Sequence, residues 1–349
     1  MKKEFKWHLV LLTLTIVLSF TLLKTTFSSA ETIRWRMQHP WPAGSMYDKE
    51  TNSFVERVKE LTGGRLQITM FAVGALAGTQ ESLDAISKGV FEAHINVPVY
   101  WTGKMPVGTF LFGVPGGINN PSDWWAWYYK RGGIDIAHEA YAKFNVRFIA
   151  PLMTPSNTPI FTTKKNPVRS LAEFKGLKIR GVPGLQSEII KAIGASPVFI
   201  NVQDVYTSME TGVIDAVAGF TKVGWYKFGI HEIAKYAIEP AFVMPDSCLE
   251  FAVGIKAWNN LPDDLKAIFE AAAREWSVNF YSYGILEDAI SYNAMQKAGI
   301  EVLTLPPGDV QKINDMAIKA ADEFSQRDPL AQRAWESQKE YLKFMGKMK

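Results

Sequence analysis

The chain has a single cysteine, Cys248, in 349 residues. No intrachain disulfide can form. No motif surrounds the thiol, which reads as a small buried residue rather than a nucleophile. Enzyme signatures are also missing: there is no HExxH, no GxSxG, no GxGxxG after a strand and no phosphate-binding loop. Beyond residue 30 the four histidines, His39, His94, His138 and His231, are scattered among different elements. Asp246 and Glu250 are close enough in sequence to serve acid–base or metal chemistry, although most such pairs are surface or capping residues. Repeats and low-complexity tracts are absent.

Long apolar runs are scarce too. Lys2, Lys3 and Lys6 precede the run Leu9–Leu23, and Ser28-Ser29-Ala30 supplies small residues after it. This is the pattern of a secretory signal peptide, residues 1–30, cleaved after Ala30. The run falls short of the ~20 residues that span a bilayer. No cysteine lies near the cleavage point, so a lipid anchor is not expected. Removing residues 1–30 takes four lysines and one glutamate from 38 basic and 35 acidic residues, which leaves 34 of each. A neutral mature chain carries no charge bias toward nucleic acid or an anionic membrane. An exported chain without disulfides must be held by its core, and one of this length is expected to form two lobes.

The remainder is organised around Leu171–Val217. LKIR (177–180) reads as a strand, Leu185, Ile189, Ile190 and Ile193 recur at helical spacing, and PVFI (197–200) is a second strand. Asn201 is placed to cap a helix closed by Gly212, and VIDAV is a third strand. Such alternation predicts an α/β layer with a largely parallel sheet. Arg180 is the one charge out of place, at the carboxyl end of an apolar strand, where open α/β sheets bind ligands. A guanidinium there can grip a carboxylate through two parallel hydrogen bonds. Position alone leaves open an exposed arginine paired with a surface acid.

KGLKIRGVPG and GASPVFINVQDVYTSMETGVIDAVAG resemble the substrate-binding proteins of TRAP transporters, the DctP-like family. GGRLQITMFAVGALAGTQESLDAISKGVFEA is similar to the family's first half. YWTGKMPV and WWAWYYKRGGIDIAHEAYAKFNV resemble its 2-oxoacid-binding branch. The likeness covers essentially the whole chain after the N-terminus. It implies a two-lobed periplasmic-binding-protein-like α/β fold (type II-like), with one long helix spanning both lobes and C-terminal helices. It implies that Arg180 grips a substrate carboxylate. The implied partners are a small organic acid and TRAP membrane permease subunits, with no nucleic acid. The implied compartment is the periplasm.

The remaining expectations follow the chain. Lobe 1 is placed at 31–152 plus about 242–282, lobe 2 at 153–241 plus about 283–305, and the C-terminal helices at 306–349. IRWRMQ, RLQITMFA and HINVPVY are strands of the first lobe, and a helix between them puts Phe54, Val58 and Leu61 on one face. Loops around Trp41–Tyr47 and at Tyr100 and Trp101 should face the cleft. The aromatic stretch Asp123–Lys130 would spread its rings around a helix, so most of them should pack. Turn-rich Pro151–Thr158 suits a hinge, and residues 261–299 form one long helix with Gly284 inside. Phe220, Thr221 and Trp225 follow a strand end and are candidate cleft residues, with Trp225 equally suited to packing. Thr154 and Asn157 are candidate donors, or simply hinge turn.

The chain departs from the 2-oxoacid branch where the resemblance would place metal ligands. That branch has a Gln ahead of the arginine strand and Glu-Trp after the I-D-A strand. Here the regions read LMTPSNTPIF and AVAGF, with Ala218-Gly219 in place of Glu-Trp. No metal and no cofactor are expected, because a hard cation needs several oxygen ligands. Losing a Glu and a Trp also opens the site to a bulkier, aromatic carboxylate. The branch further implies a homodimer that exchanges C-terminal helices; the alternative is packing of those helices on their own lobes. Two other functions stay open: an exported enzyme using Asp246 or Glu250, and a binding protein that docks on a sensor.

Overall fold

The computed structural model describes residues 32–155, 157–244 and 246–348, so the expected signal peptide lies outside the described residues. The strands, in chain order, are β1 (Ile33–Gln38), β2 (Leu66–Phe71), β3 (Ala93–Asn96), β4 (Val146–Thr154), β5 (Ile160–Thr163), β6 (Lys178–Arg180), β7 (Ser196–Val198), β8 (Ala216–Val217), β9 (Ala234–Glu239), β10 (Ser247–Gly254) and β11 (Glu301–Thr304). They form two sheets, ordered β2-β1-β3-β10-β4 and β11-β9-β5-β8-β6-β7. Among the described residues five of the nine strand pairings are parallel, each made across a helical crossover. β10 runs antiparallel to β3 and β4, and β5 runs antiparallel to β8 and β9. These exceptions have one cause. The chain crosses between sheets through two short segments, 155–159 and 240–246, and each entering strand lies beside the strand that leaves.

Local chemistry moves some expected boundaries. β3 stops at Asn96, and Pro98–Trp101 is a 3₁₀ turn rather than more strand. Pro98 has no N–H to give a ladder. Pro151 is not in the hinge; it sits inside β4 opposite Glu250. β4 is an edge strand, where a missing donor is tolerated. Leu61 stays 38% exposed while Phe54 and Val58 are buried. Asn201 opens a short turn, yet its side chain makes no capping bond.

A helix over Asp263–Lys297 runs past both sheets. Leu265, Phe269, Trp276 and Phe280 enter the first lobe's apolar cluster, and Met295 enters the second lobe's. Between them, a Cβ on Gly284 would come within 2.8 Å of Pro155 Cγ in the first crossing. Only glycine lets helix and crossing approach this closely.

Two helices close the chain. Pro307–Ser325 packs on the second-lobe helix Leu185–Ala192, and Pro329–Phe344 packs on the first-lobe helices Gly108–Phe112 and Gly133–Ala142. Asp328 caps the second of the pair by accepting from the Leu330 and Ala331 amides. Trp335, Tyr341 and Phe324 are buried against their own chain, with the Tyr341 hydroxyl donating to Asp123 Oδ1 at 2.8 Å. Trp124, Trp127 and Tyr128 of the aromatic stretch are fully buried beside them.

Candidate functional site

A cleft of about 450 Å³ opens between the lobes at the carboxyl ends of β1, β3, β6, β7 and β8. Arg180 ends β6 between β7 and β8, so its side chain emerges from the middle of the parallel part of the sheet. It is 1% exposed. Nε donates to the Ile200 carbonyl (3.1 Å), and Nη1 donates to the carbonyls of Ala218 (3.0 Å) and Gly219 (2.9 Å). Nη2 has no protein partner among the described residues. No carboxylate forms an ion pair with the guanidinium there either. Burial pulls its pKa below the ordinary value, with a small opposing contribution from Tyr100; an arginine this basic stays charged. Isolating a buried charge costs several kcal/mol. The arrangement fixes the fork's orientation with carbonyls and leaves one edge for an anion.

Gly219, at φ +80°, explains part of that geometry. Its conformation is left-handed, and a Cβ there would meet Arg180 Nη1 and Val182 Cγ1 at 3.4 Å. Beneath the guanidinium lies Trp225, its ring centroid 5.4 Å from Arg180 Cζ.

The structure brings Tyr100, Phe220, Thr221 and Thr154 to the cleft with Arg180. Burial raises the Tyr100 phenol above its usual range. Trp101 does not line the cleft: it stacks on His94 with ring centroids 5.5 Å apart. Trp225 is fully buried and serves the arginine from below. Asn157 lies outside the cleft, its amide donating to Asp246 Oδ1 and its carbonyl accepting from Lys222 Nζ.

The two acids considered for catalysis are committed elsewhere. Asp246 ties the crossings to the long helix, accepting from the Asn157 amide (3.1 Å) and the Tyr281 hydroxyl (2.7 Å). Glu250 is fully buried, 2.8 Å from His94 Nε2, whose Nδ1 lies 2.7 Å from Ser82 Oγ. Burial raises the Glu250 carboxyl and pushes His94 down to about 3, so both shifts favour the uncharged forms. Neither acid lines the cleft.

Sequence reading missed the loop after β7, where Phe199, Asn201 and Gln203 line the cleft, and Glu81 at the other wall. The signal was available: β7 is parallel to β6, so its carboxyl end reaches the same edge.

The model of bacterial extracellular solute-binding protein, family 7 (DctP), matches residues 37–328. A monocarboxylate 2-oxoacid-binding periplasmic protein of Nostoc is 28% identical over 89% of this chain and 84% of its own. A TRAP solute-binding protein from Pseudoalteromonas atlantica, solved with sodium and pyruvate, is 25% identical, with a TM-score of 0.82 over 90% of this chain and 95% of that one. Another from Bordetella bronchiseptica, a mixed-occupancy dimer with calcium and picolinate, is 25% identical, with a TM-score of 0.81 over 90% and 93%. With this fold, this cleft and a family match over most of its length, the chain belongs to the DctP family of bacterial extracellular solute-binding proteins.

Proposed function

We propose that this protein is the solute-binding component of a TRAP transporter and captures an organic acid by its carboxylate between the lobes. One observation carries the reading: a buried arginine without an acid partner among the described residues, held by three carbonyl contacts, with Nη2 left for a ligand. The lobes close around the acid because the closed form binds it better, and the loaded protein delivers it to the membrane permease. Mass spectrometry of small molecules released from the denatured, freshly purified protein tests this. Recovery of a stoichiometric carboxylate supports it; a co-purifying neutral or cationic solute overturns it.

Binding proceeds without a metal in this reading. The relatives described above hold sodium or calcium beside pyruvate or picolinate. In this cleft Glu81 is the one carboxylate among the described lining residues. A hard cation takes six or more oxygens, and this donor set does not fit one. Trp41, Tyr100, Phe112, Phe199 and Phe220 supply ring surface instead, which supports a bulkier or aromatic acid.

The domain division, export and assembly belong to the same proposal. We place the lobe boundaries at the crossings 155–159 and 240–246, and the leader at residues 1–30. N-terminal sequencing of the exported protein checks the cleavage after Ala30. The proposal includes a homodimer. Phe324, Trp335 and Tyr341 are buried against their own chain, whereas Phe344 of the last helix and Val278, Ile285, Leu286 and Ile290 of the long helix leave apolar surface exposed. Light scattering at micromolar concentration decides it, since a constant monomer mass ends the dimer reading.

A further inference from the structure

We propose that Tyr47, which does not line the arginine cleft, is the latch that holds the lobes closed and sets how slowly the ligand leaves. The proposal rests on the solute-binding reading.

Tyr47 stands in the first turn of the helix Met46–Leu61, behind the Ser45 cap. Its ring forms a three-membered cluster with Trp41 and Phe280, each centroid 5.3 Å away and those two 5.2 Å from each other, so its direction is fixed by packing. Its hydroxyl reaches across the lobes and donates to Thr221 Oγ1 at 3.0 Å. Thr221 is buried and caps the second-lobe helix Lys222–Lys227, accepting from the Gly224 amide at 3.1 Å. That helix carries Trp225, the ring beneath Arg180. A first-lobe hydroxyl is thus connected, through one capping residue and one short helix, to the support of the anion-binding guanidinium.

The place of the bond matters as much as its partners. A second crevice, of about 620 Å³, adjoins the cleft; Trp41 and Phe220 line both. Tyr47 lines only the second and Thr221 only the first. The hydrogen bond therefore lies in the partition between them. On another flank the lobes meet through Tyr100 and Phe199, ring centroids 6.4 Å apart and edge-on. That contact is directionally loose, and Phe199 is 46% exposed. A buried hydrogen bond between rigid partners is the stricter of the two, because breaking it leaves polar groups unpaired in apolar surroundings. Separating the lobes at this edge breaks it and joins the two cavities into one open path.

Tyr47→Phe keeps the ring packing and removes the hydroxyl. Spin labels at Lys59→Cys and Glu210→Cys, exposed positions in lobe 1 and lobe 2, report the interlobe distance; buried Cys248 stays unlabelled. Without ligand, the closed population should fall about three- to tenfold in Tyr47→Phe, the range expected for one lost hydrogen bond. With pyruvate or picolinate as the probe acid, Kd should rise by a similar factor. The change should lie in the dissociation rate, with association unchanged or faster and the melting temperature within a few degrees of wild type. Identical distance distributions in the two proteins would overturn the latch, as would an unchanged dissociation rate. If neither acid binds wild type, the choice of ligand class fails, and the ligand-free distances still judge the latch.

Discussion

Arg180 rests on Trp225, guanidinium carbon 5.4 Å from the ring centroid, and the indole Nε1 of Trp225 has no partner among the described residues. The ring offers its electron-rich face to the cation, and such contacts strengthen when both groups are desolvated. Cleft and packing were the two roles open to this tryptophan. It packs, and by packing it shapes the site.

The first prediction concerns the arginine. Removing one partner of a buried charge-assisted pair costs roughly 2–5 kcal/mol. Arg180→Ala should weaken binding of the co-purifying acid by about 30-fold to several thousand-fold. Arg180→Lys should recover only part, because an ammonium lacks the fork. Calorimetric titration checks both. Affinity of the alanine variant within about threefold of wild type would remove Arg180 from the site.

The second concerns metal. Exhaustive chelation should leave acid affinity unchanged, since the lining residues provide a single carboxylate. The measurement is the same titration with and without chelator, followed by added calcium or sodium. A tenfold loss restored by either ion would show that backbone and ligand oxygens complete a cation site.

Two helical glycines, Gly284 in a helix interior and Gly308 in a first turn, should respond oppositely to alanine. Gly284→Ala drives a Cβ to 2.8 Å from Pro155 Cγ, a ring that cannot step aside. Overpacking of this kind costs roughly 1–3 kcal/mol, more than the gain in helix propensity. Gly308, in the first turn of Pro307–Ser325, has no heavy atom within 4 Å of the new methyl. There alanine should gain up to about 1 kcal/mol. Thermal melts of the two variants should move in opposite directions; a rise for Gly284→Ala would contradict the packing argument.

Asp288 gives a pH dependence. It sits on the long helix, nearly fully buried, and burial pushes its carboxyl up to about 6 despite a 2.8 Å hydrogen bond from the Val223 amide. The folded form therefore holds its proton where the unfolded chain, near its ordinary value of 3.8, has released it. Stability from this group is greatest below about pH 4, falls as pH rises toward 6, and is constant above. Asp288→Asn should melt higher than wild type at pH 7, and the difference should shrink as pH approaches 4. A difference independent of pH would mean that Asp288 titrates normally.

These sites differ in how much of them could be read from the chain. Arg180 stood out because a charge interrupts an apolar strand, and its parallel neighbours follow from the alternation of strand and helix. Phe199 and Asn201 were hidden by plausible local roles, strand end and helix cap, although the rule that located Arg180 applies equally to β7. Trp101 and Trp225 show the reverse case. An aromatic residue next to a strand end has two faces open to it, and only tertiary packing, on His94 in one case and under Arg180 in the other, decides between them. Tyr47 was legible only as part of a loop facing the cleft. Its partner Thr221 is 174 residues away, and no local pattern encodes that pairing.

The seam beside the C-terminal helices has a thermodynamic consequence. Leu185 and Ile189 of the second lobe are buried in one cluster with Phe110 and Trp335 of the first lobe and the C-terminal helix, and Gln186 Nε2 donates to the Gly113 carbonyl at 2.9 Å. Gly184 lies so close to Thr109 that a Cβ would come within 2.7 Å of its hydroxyl. A swing that parted this seam would expose two large aliphatic side chains; a swing about it exposes neither. The apolar surface that changes hydration on binding is then confined to the cleft and its latch edge. The heat capacity of binding should accordingly be modest for a protein with so much apolar surface between its lobes, because most of that surface is dry in both states.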